Sequence, residues 1–326
     1  MNVILSEKHE EQVFEMRKVY CDTLVELAEK NSQICVLDAD LMSAMGMKPF
    51  AEKFPERTID CGIQEANMIG MACGLSIQGK IPFAHTFAPF CTRRACDQIF
   101  LSGAYNRANV KIVGSDPGIT AAYNGGTHMP FEDMGIMRLI PDMTVIEPTD
   151  NVMLEDIVKQ IADQYGMYYL RLVRKKVTEI YKKGSSFRIG QAVRLAEGTD
   201  ATVIASGFCV KEAIRAAEIL SEKGIHIRVL DMFTWKPIDK EAVVQAAEET
   251  HAIVTAENHN IINGLGAAVS QIASENCPVP MEYVGVKDEF GEVGPISYLR
   301  KRFGLTAGKI VAAVERVIAR KQIVEK

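Results

Sequence analysis

The chain has 326 residues and a mass of 36.0 kDa, enough for two domains that each bury a core. Apolar residues make up 48% and charged residues 24%, the balance of a soluble globular protein, and a net charge of −5 without a long basic run argues against nucleic acid as a partner. No apolar stretch reaches membrane-spanning length, and the opening "MNVILSEKHEEQVFEMRK" turns polar too early for a secretory signal, so a cytoplasmic location is expected.

In chain order, "VFEMRKVYCDTLVELAEK" (13–30) reads as an amphipathic helix and "ICVLDAD" (34–40) as a short apolar strand with an acidic end. "TIDCGI" (58–63) is a strand, "EANMIGMACGLSIQG" (65–79) a helix rich in small residues, and "IPFAHTF" (81–87) a strand. "TRRACDQIFLSGAYN" (92–106) is expected to be helical, and "VKIVGS" (110–115) is a strand entering a Gly-rich loop. "TVIEPTD" (144–150), "NVMLEDIVKQIADQY" (151–165) and "MYYLRLVR" (167–174) continue as strand, helix, strand. The basic, Gly/Ser-bearing stretch 175–188 breaks this rhythm and reads as a linker. A second alternation follows: strands in 200–208, 225–232, 251–258 and 280–288, and helices in 209–224, 239–250, 264–277 and 306–321, the last with Thr306 as a cap.

Alternating strands and helices predict two consecutive α/β domains with mainly parallel sheets, 1–180 and 181–326. The eight cysteines lack metal-site spacing and read as small buried hydrophobes in a reducing compartment. Ligands of parallel sheets sit at the carboxyl ends of strands. That rule selects the loops 38–46, 60–65, 85–93, 114–128 and 171–174, and with them Glu65, His85, Phe87, Phe90, Arg93, Asn124, His128 and Arg174. Taken alone, Glu65 could simply complement a helix dipole, and two phenylalanines near a strand end could be core.

The ordered motifs "CGIQEANMIGMACGLSIQG", "FAHTFAPFCTRRACDQI", "GGTHMPFEDMGIMRLIPDMTVIEPTD" and "GEVGPISYLRKRFGLTAGKIVAAV" resemble the C-terminal half of transketolase: its pyrimidine-binding domain followed by its C-terminal domain. The resemblance runs from about residue 12 to 320. It implies thiamine diphosphate with Mg2+ or Ca2+, and two-carbon ketol transfer from a ketose donor to an aldose acceptor. It places Glu65 against the pyrimidine ring nitrogen, where a shared proton favours the imino tautomer that deprotonates the thiazolium carbon. It makes Phe87 and Phe90 the aromatic walls of that ring, with Arg93 at a third position and His85 behind them. Arg93 could equally pair with Asp97 one helical turn on. His128 falls at the family's substrate histidine, and Arg17 and Arg174 at its substrate-anion arginines.

Two departures stand out. Asn124 replaces the family's donor-hydroxyl aspartate, and Asp116 replaces its sugar-phosphate histidine. A carboxylate facing a phosphate is unfavourable, so a non-standard sugar or sugar derivative is expected. The segment that carries the family's diphosphate- and metal-binding motif does not occur in this sequence. A partner subunit is therefore expected to supply it, in a heterotetramer of two such pairs. Competing readings are the beta subunit of a thiamine-dependent 2-oxo-acid dehydrogenase, a deoxyxylulose-phosphate synthase fragment, and a non-catalytic interaction subunit.

Overall fold

Twelve strands build two sheets in the computed structural model, which describes residues 1–324. In the first half they are β1 (Ile34–Asp38), β2 (Thr58–Asp60), β3 (Ile81–Phe87), β4 (Lys111–Ser115), β5 (Thr144–Ile146) and β6 (Tyr168–Leu172). In the second half they are β7 (Val193–Ala196), β8 (Ala201–Ala205), β9 (Ile227–Asp231), β10 (Thr234–Lys236), β11 (Ile253–Asn260) and β12 (Met281–Val286). Every residue of β1, β4, β6, β8 and β9 is buried, as expected of parallel strands covered on both faces.

The first sheet has the order β10-β5-β6-β4-β3-β1-β2, and the second β12-β11-β8-β9-β7. All pairings are parallel except β10 on β5 and β7 on β9, each antiparallel. Two of these strands, β7 and β10, are absent from the sequence reading; both are antiparallel edge strands that fall outside the strand–helix alternation it follows. β10 matters most: it leaves the second domain and completes the edge of the first sheet.

Two local expectations change. The helix expected over 92–106 is broken into Ala88–Thr92, Cys96–Gln98 and a π-helical turn Ile99–Tyr105. Pro89 in the first turn starts the helix directly from the end of β3, earlier than expected. The linker 175–188 is tied down. It bridges the N-terminal arm at Asn2–Ser186, Leu5–Tyr181 and Glu11–Thr178. Asp150 caps the helix Asn151–Asp163 through Met153 N at 3.0 Å, and its other oxygen accepts from Ile180 N and Tyr181 N. All eight cysteines are free, and five of them are buried.

The seam between the domains is polar and buried. Arg171, on β6, donates twice to Asp133 and once to Glu147, all at 2.8 Å, and once to the Asn258 carbonyl of β11 at 3.0 Å. Ser206 of the second domain donates to the other Glu147 oxygen at 2.6 Å. A charge this deep persists because each of its three nitrogens has an acceptor and two carboxylates face it.

Candidate active site

Glu65 opens the helix Glu65–Ile77, and its side chain is 2% exposed. The preceding turn uses Gly62 at φ +68, a conformation that favours glycine, and Gly62 N donates to Asp60 Oδ1 at 2.9 Å. Arg94 donates to Glu65 Oε1 at 2.7 Å, and its guanidinium lies 4.1 Å from the centre of the Phe90 ring. Glu65 Oε2 is buried and has no hydrogen-bond partner among the described residues. A buried carboxylate oxygen without a partner is costly unless a donor arrives from elsewhere.

Phe87 ends β3, and Phe90 lies one turn into the following helix. Their ring centres are 5.9 Å apart, inclined by 34°. His128 meets both edge-on, at 6.2 Å and 5.1 Å. Its Nδ1 is 2.8 Å from Thr127 Oγ1, and Nε2 makes no hydrogen bond to a described residue. A cavity of about 330 Å³ opens here, lined by Pro89, Phe90, Arg93, Arg94 and Thr127. A larger depression of about 820 Å³ lies away from all of these groups, along the N-terminal arm from Ser6 to Phe14. Size alone therefore does not locate the chemistry.

Arg93 does not pair with Asp97. It contacts Glu132 at 2.9 Å and donates to the Thr127 carbonyl at 3.0 Å, tying the helix to the His128 loop. Burial pushes the Glu132 carboxyl up, and Arg93 opposes that. His85 is fully buried, with Nε2 3.2 Å from Asp38 Oδ2 but not aligned for a hydrogen bond. β1 and β3 set Asp38 opposite His85, and the Tyr20 ring packs edge-on at 6.1 Å.

At the other end of the site, Asp116 and Arg174 form one unit. Arg174 reaches Asp116 Oδ1 through Nη2 at 3.1 Å and Nε at 3.2 Å, and its guanidinium lies 5.2 Å from the Phe87 ring centre. Ser115 donates to Asp116 Oδ2 at 2.9 Å. Asp116 is 1% exposed, so its carboxylate is no open wall facing a ligand tail. Burial pushes its carboxyl up, and Arg174 pulls against that. Arg17 is held by Glu15 at 2.7 Å and by the Ala44 carbonyl at 2.8 Å. Asn124 is exposed, on the same loop as His128.

Phe90 and Arg93 thus line the cavity, Phe87 and His128 pack against Phe90, Glu65 joins it through Arg94, and Arg174 lies over Phe87. His85 lies beneath, and Arg17 is anchored beside residue 44. The sequence reading missed Arg94, Asp38 and Tyr20. The doubled arginine in "TRR" was the only signal for Arg94, and it did not say which arginine turns toward Glu65.

Residues 12–179 match the family described as transketolase, pyrimidine binding domain, and residues 190–310 match transketolase, C-terminal domain. The chain belongs to the transketolase family. It is 51% identical over 306 residues to the 6-deoxy-6-sulfo-D-fructose transketolase subunit SqwH of Clostridium sp. (strain MSTE9), covering 94% of this chain and 95% of that protein. It is 38% identical over 274 residues to an apulose-4-phosphate transketolase subunit of Phocaeicola vulgatus, covering 84% of this chain and 88% of that protein. A solved split-gene transketolase, described as an inactive beta4 tetramer, superposes with a TM-score of 0.87 at 42% identity, covering 94% of this chain and 99% of that one. Family membership implies thiamine diphosphate. A buried Glu65 oxygen without a partner among the described residues, joined through Arg94 to the Phe90 ring that packs near Phe87, fits an aminopyrimidine. Among the described residues no cluster of His, Cys, Asp or Glu could hold a metal, and no helix is long and apolar enough to cross a membrane.

Proposed function

We propose that this transketolase-family chain is the C-terminal subunit of a two-subunit transketolase that moves a two-carbon ketol unit from a ketose to an aldose. The partner subunit holds the cofactor diphosphate and the metal, Mg2+ or Ca2+, and two such pairs make a heterotetramer. The observation that carries this reading is the buried Oε2 of Glu65, without a hydrogen-bond partner among the described residues, on a carboxylate that Arg94 ties to the face of Phe90. Near end-to-end similarity to named transketolase subunits supports it.

When bound, thiamine diphosphate supplies the electron sink for carbon–carbon cleavage. The chain's own residues do the rest. Glu65 Oε2 holds or yields a proton at the ring nitrogen, and Arg94 keeps the carboxylate aimed. Phe87 and Phe90 present apolar faces that exclude water from the ring. His128 Nε2 offers a hydrogen bond to the ketose, with its ring orientation fixed by Thr127. Asn124 adds a neutral amide where a carboxylate would favour a different hydroxyl pattern.

The tail end favours a ketose carrying a sulfonate. A sulfonate bears one negative charge, whereas a phosphate monoester bears about 1.5 to 2 near neutral pH. Asp116 already takes up part of the Arg174 charge, so a second charge on the tail is disfavoured there. The 51% identity to a sulfofructose transketolase subunit points the same way.

The test is two-carbon transfer by the chain mixed with its diphosphate-domain partner, comparing 6-deoxy-6-sulfofructose with fructose 6-phosphate. We expect activity only in the mixture and a higher kcat/KM for the sulfonate. Full activity of the isolated chain would remove the subunit reading, and oxo-acid decarboxylation in place of ketol transfer would remove the transketolase one.

A further inference from the structure

The loop between β4 and the helix Asp133–Leu139 carries Asp116, Asn124 and His128; Arg174 and Arg93 of the first domain hold it at Asp116 and Thr127, and the second domain holds it at Ile119, Gly126 and Phe131. Its backbone is unusual: Asp116, Gly118, Ala122 and Gly125 all have positive φ, at 58°, 50°, 48° and 78°. Two of these are not glycine, and such conformations persist only when surrounding contacts impose them.

Around Gly118 and Gly126 those contacts come from the C-terminal domain. Asn258, in β11, is fully buried. Its Oδ1 accepts from Ile119 N at 3.0 Å, and its Nδ2 donates to the Pro117 carbonyl at 3.1 Å. One amide thus satisfies a backbone donor and a backbone acceptor across Gly118, much as a paired strand would. The fit leaves no spare room: a Cβ on Gly118 would lie 2.2 Å from Asn258 Oδ1. Farther along, Asn260 N donates to the Phe131 carbonyl at 2.8 Å, and Phe303 meets Phe131 edge-on at 5.1 Å. Gly126 and Gly291 touch backbone to backbone, where a Cβ on Gly126 would lie 2.3 Å from the Gly291 carbonyl oxygen.

We propose that Asn258 is a positioning residue for ketol transfer: from the second domain, it fixes the loop that presents Asn124 and His128 to the ketose. This rests on the transketolase reading above and gives the C-terminal domain a part in donor recognition, exerted through the loop. Asn258 touches neither Glu65 nor the aromatic pocket, so it governs donor binding and leaves cofactor activation alone.

The experiment uses the chain with its diphosphate-domain partner and three variants. Asn258→Ala removes both hydrogen bonds. Asn258→Asp keeps the acceptor for Ile119 N and loses the donor for Pro117. Arg138→Ala is the control: it removes two interdomain bonds, to the Asn263 and Gly264 carbonyls at 3.0 and 3.1 Å, without touching the loop.

Three readouts separate the outcomes. Amide exchange of the 116–131 backbone should quicken in both Asn258 variants and not in Arg138→Ala. Donor KM should rise by about ten- to a hundredfold in Asn258→Ala and less in Asn258→Asp. Exchange of the thiazolium-carbon proton should stay within about twofold of the parent in all three, because it depends on Glu65. Unchanged loop protection in Asn258→Ala overturns the proposal, whatever the activity. So does a fall in proton exchange that parallels turnover, since that marks general disruption. A parent complex with no ketol transfer but the predicted loop loosening would defeat the transketolase reading and leave the positioning role standing.

Discussion

The two ends of the site solve opposite problems. At the Glu65 end one carboxylate oxygen is bonded to Arg94 and the other is buried with no partner among the described residues. At the Asp116 end every charge is already answered: Arg174 holds Asp116, Ser115 holds its other oxygen, and Glu15 holds Arg17. The first end is incomplete without a ligand. The second is complete and can only be perturbed by one. Under the proposed function, this difference means that the cofactor end sets whether chemistry occurs, and the tail end sets with which sugar.

Glu65→Gln is the sharpest way to break that contrast. It keeps the shape and removes the exchangeable proton, so turnover should fall by about 10²–10⁴-fold with folding intact. The thiazolium-carbon proton, followed by NMR in the assembled complex, reports the loss directly. Exchange at the parent rate in Glu65→Gln would take Glu65 out of the mechanism.

Asp116→Asn probes the other end with a smaller effect. It removes the carboxylate that offsets Arg174, so the specificity ratio of phosphorylated to sulfonated ketose should rise about tenfold. The pH dependence has a definite sign. Burial pushes the Asp116 carboxyl above its ordinary value, so lowering the pH protonates it sooner than an ordinary aspartate and leaves Arg174 uncompensated. KM for the sulfonated donor, whose own charge is fixed, should therefore fall as pH falls through that range. Asp116→Asn should flatten the profile, and a profile that persists in Asp116→Asn would assign the titration to another group. Asp116→His, which restores the family's residue type, should move the ratio in the same direction.

Arg94→Ala should be the mildest of the three. Arg94 is 47% exposed, so its ion pair with Glu65 is screened and is worth only about 1 kcal/mol. Thiamine diphosphate affinity should weaken by about fivefold, read by calorimetry on the complex. A loss as large as that of Glu65→Gln would mean Arg94 acts on the cofactor itself.

The α/β architecture could be read from the sequence because buried parallel strands are nearly continuous apolar runs. "IPFAHTF" became β3 residue for residue. That Phe87, Phe90 and His128 would lie together, with Glu65 near by, was legible because each belongs to a motif at a strand's carboxyl end. The residues that escaped lie where no local pattern exists. β10 is three residues long and owes its strand character to β5, a partner far back in the chain. Arg94 differs from Arg93 only in the direction of a turn that a proline moved. The union of Asp116 with Arg174 spans 58 positions, and the sequence offered the two only as separate candidates.

β10 also bears on how the chain is made. The first sheet gains its last strand only after residue 236 has been synthesised, long after β6 is available. Until then the edge of β5 is open, and an open edge is a template for pairing with another chain. A polypeptide released at the end of the first domain should therefore associate through that edge, where the full chain does not. Nascent chains leave the ribosome amino end first, and here the amino-terminal unit stays unfinished until its neighbour has partly emerged. The two units should consequently acquire protease resistance together during translation, in a single late step.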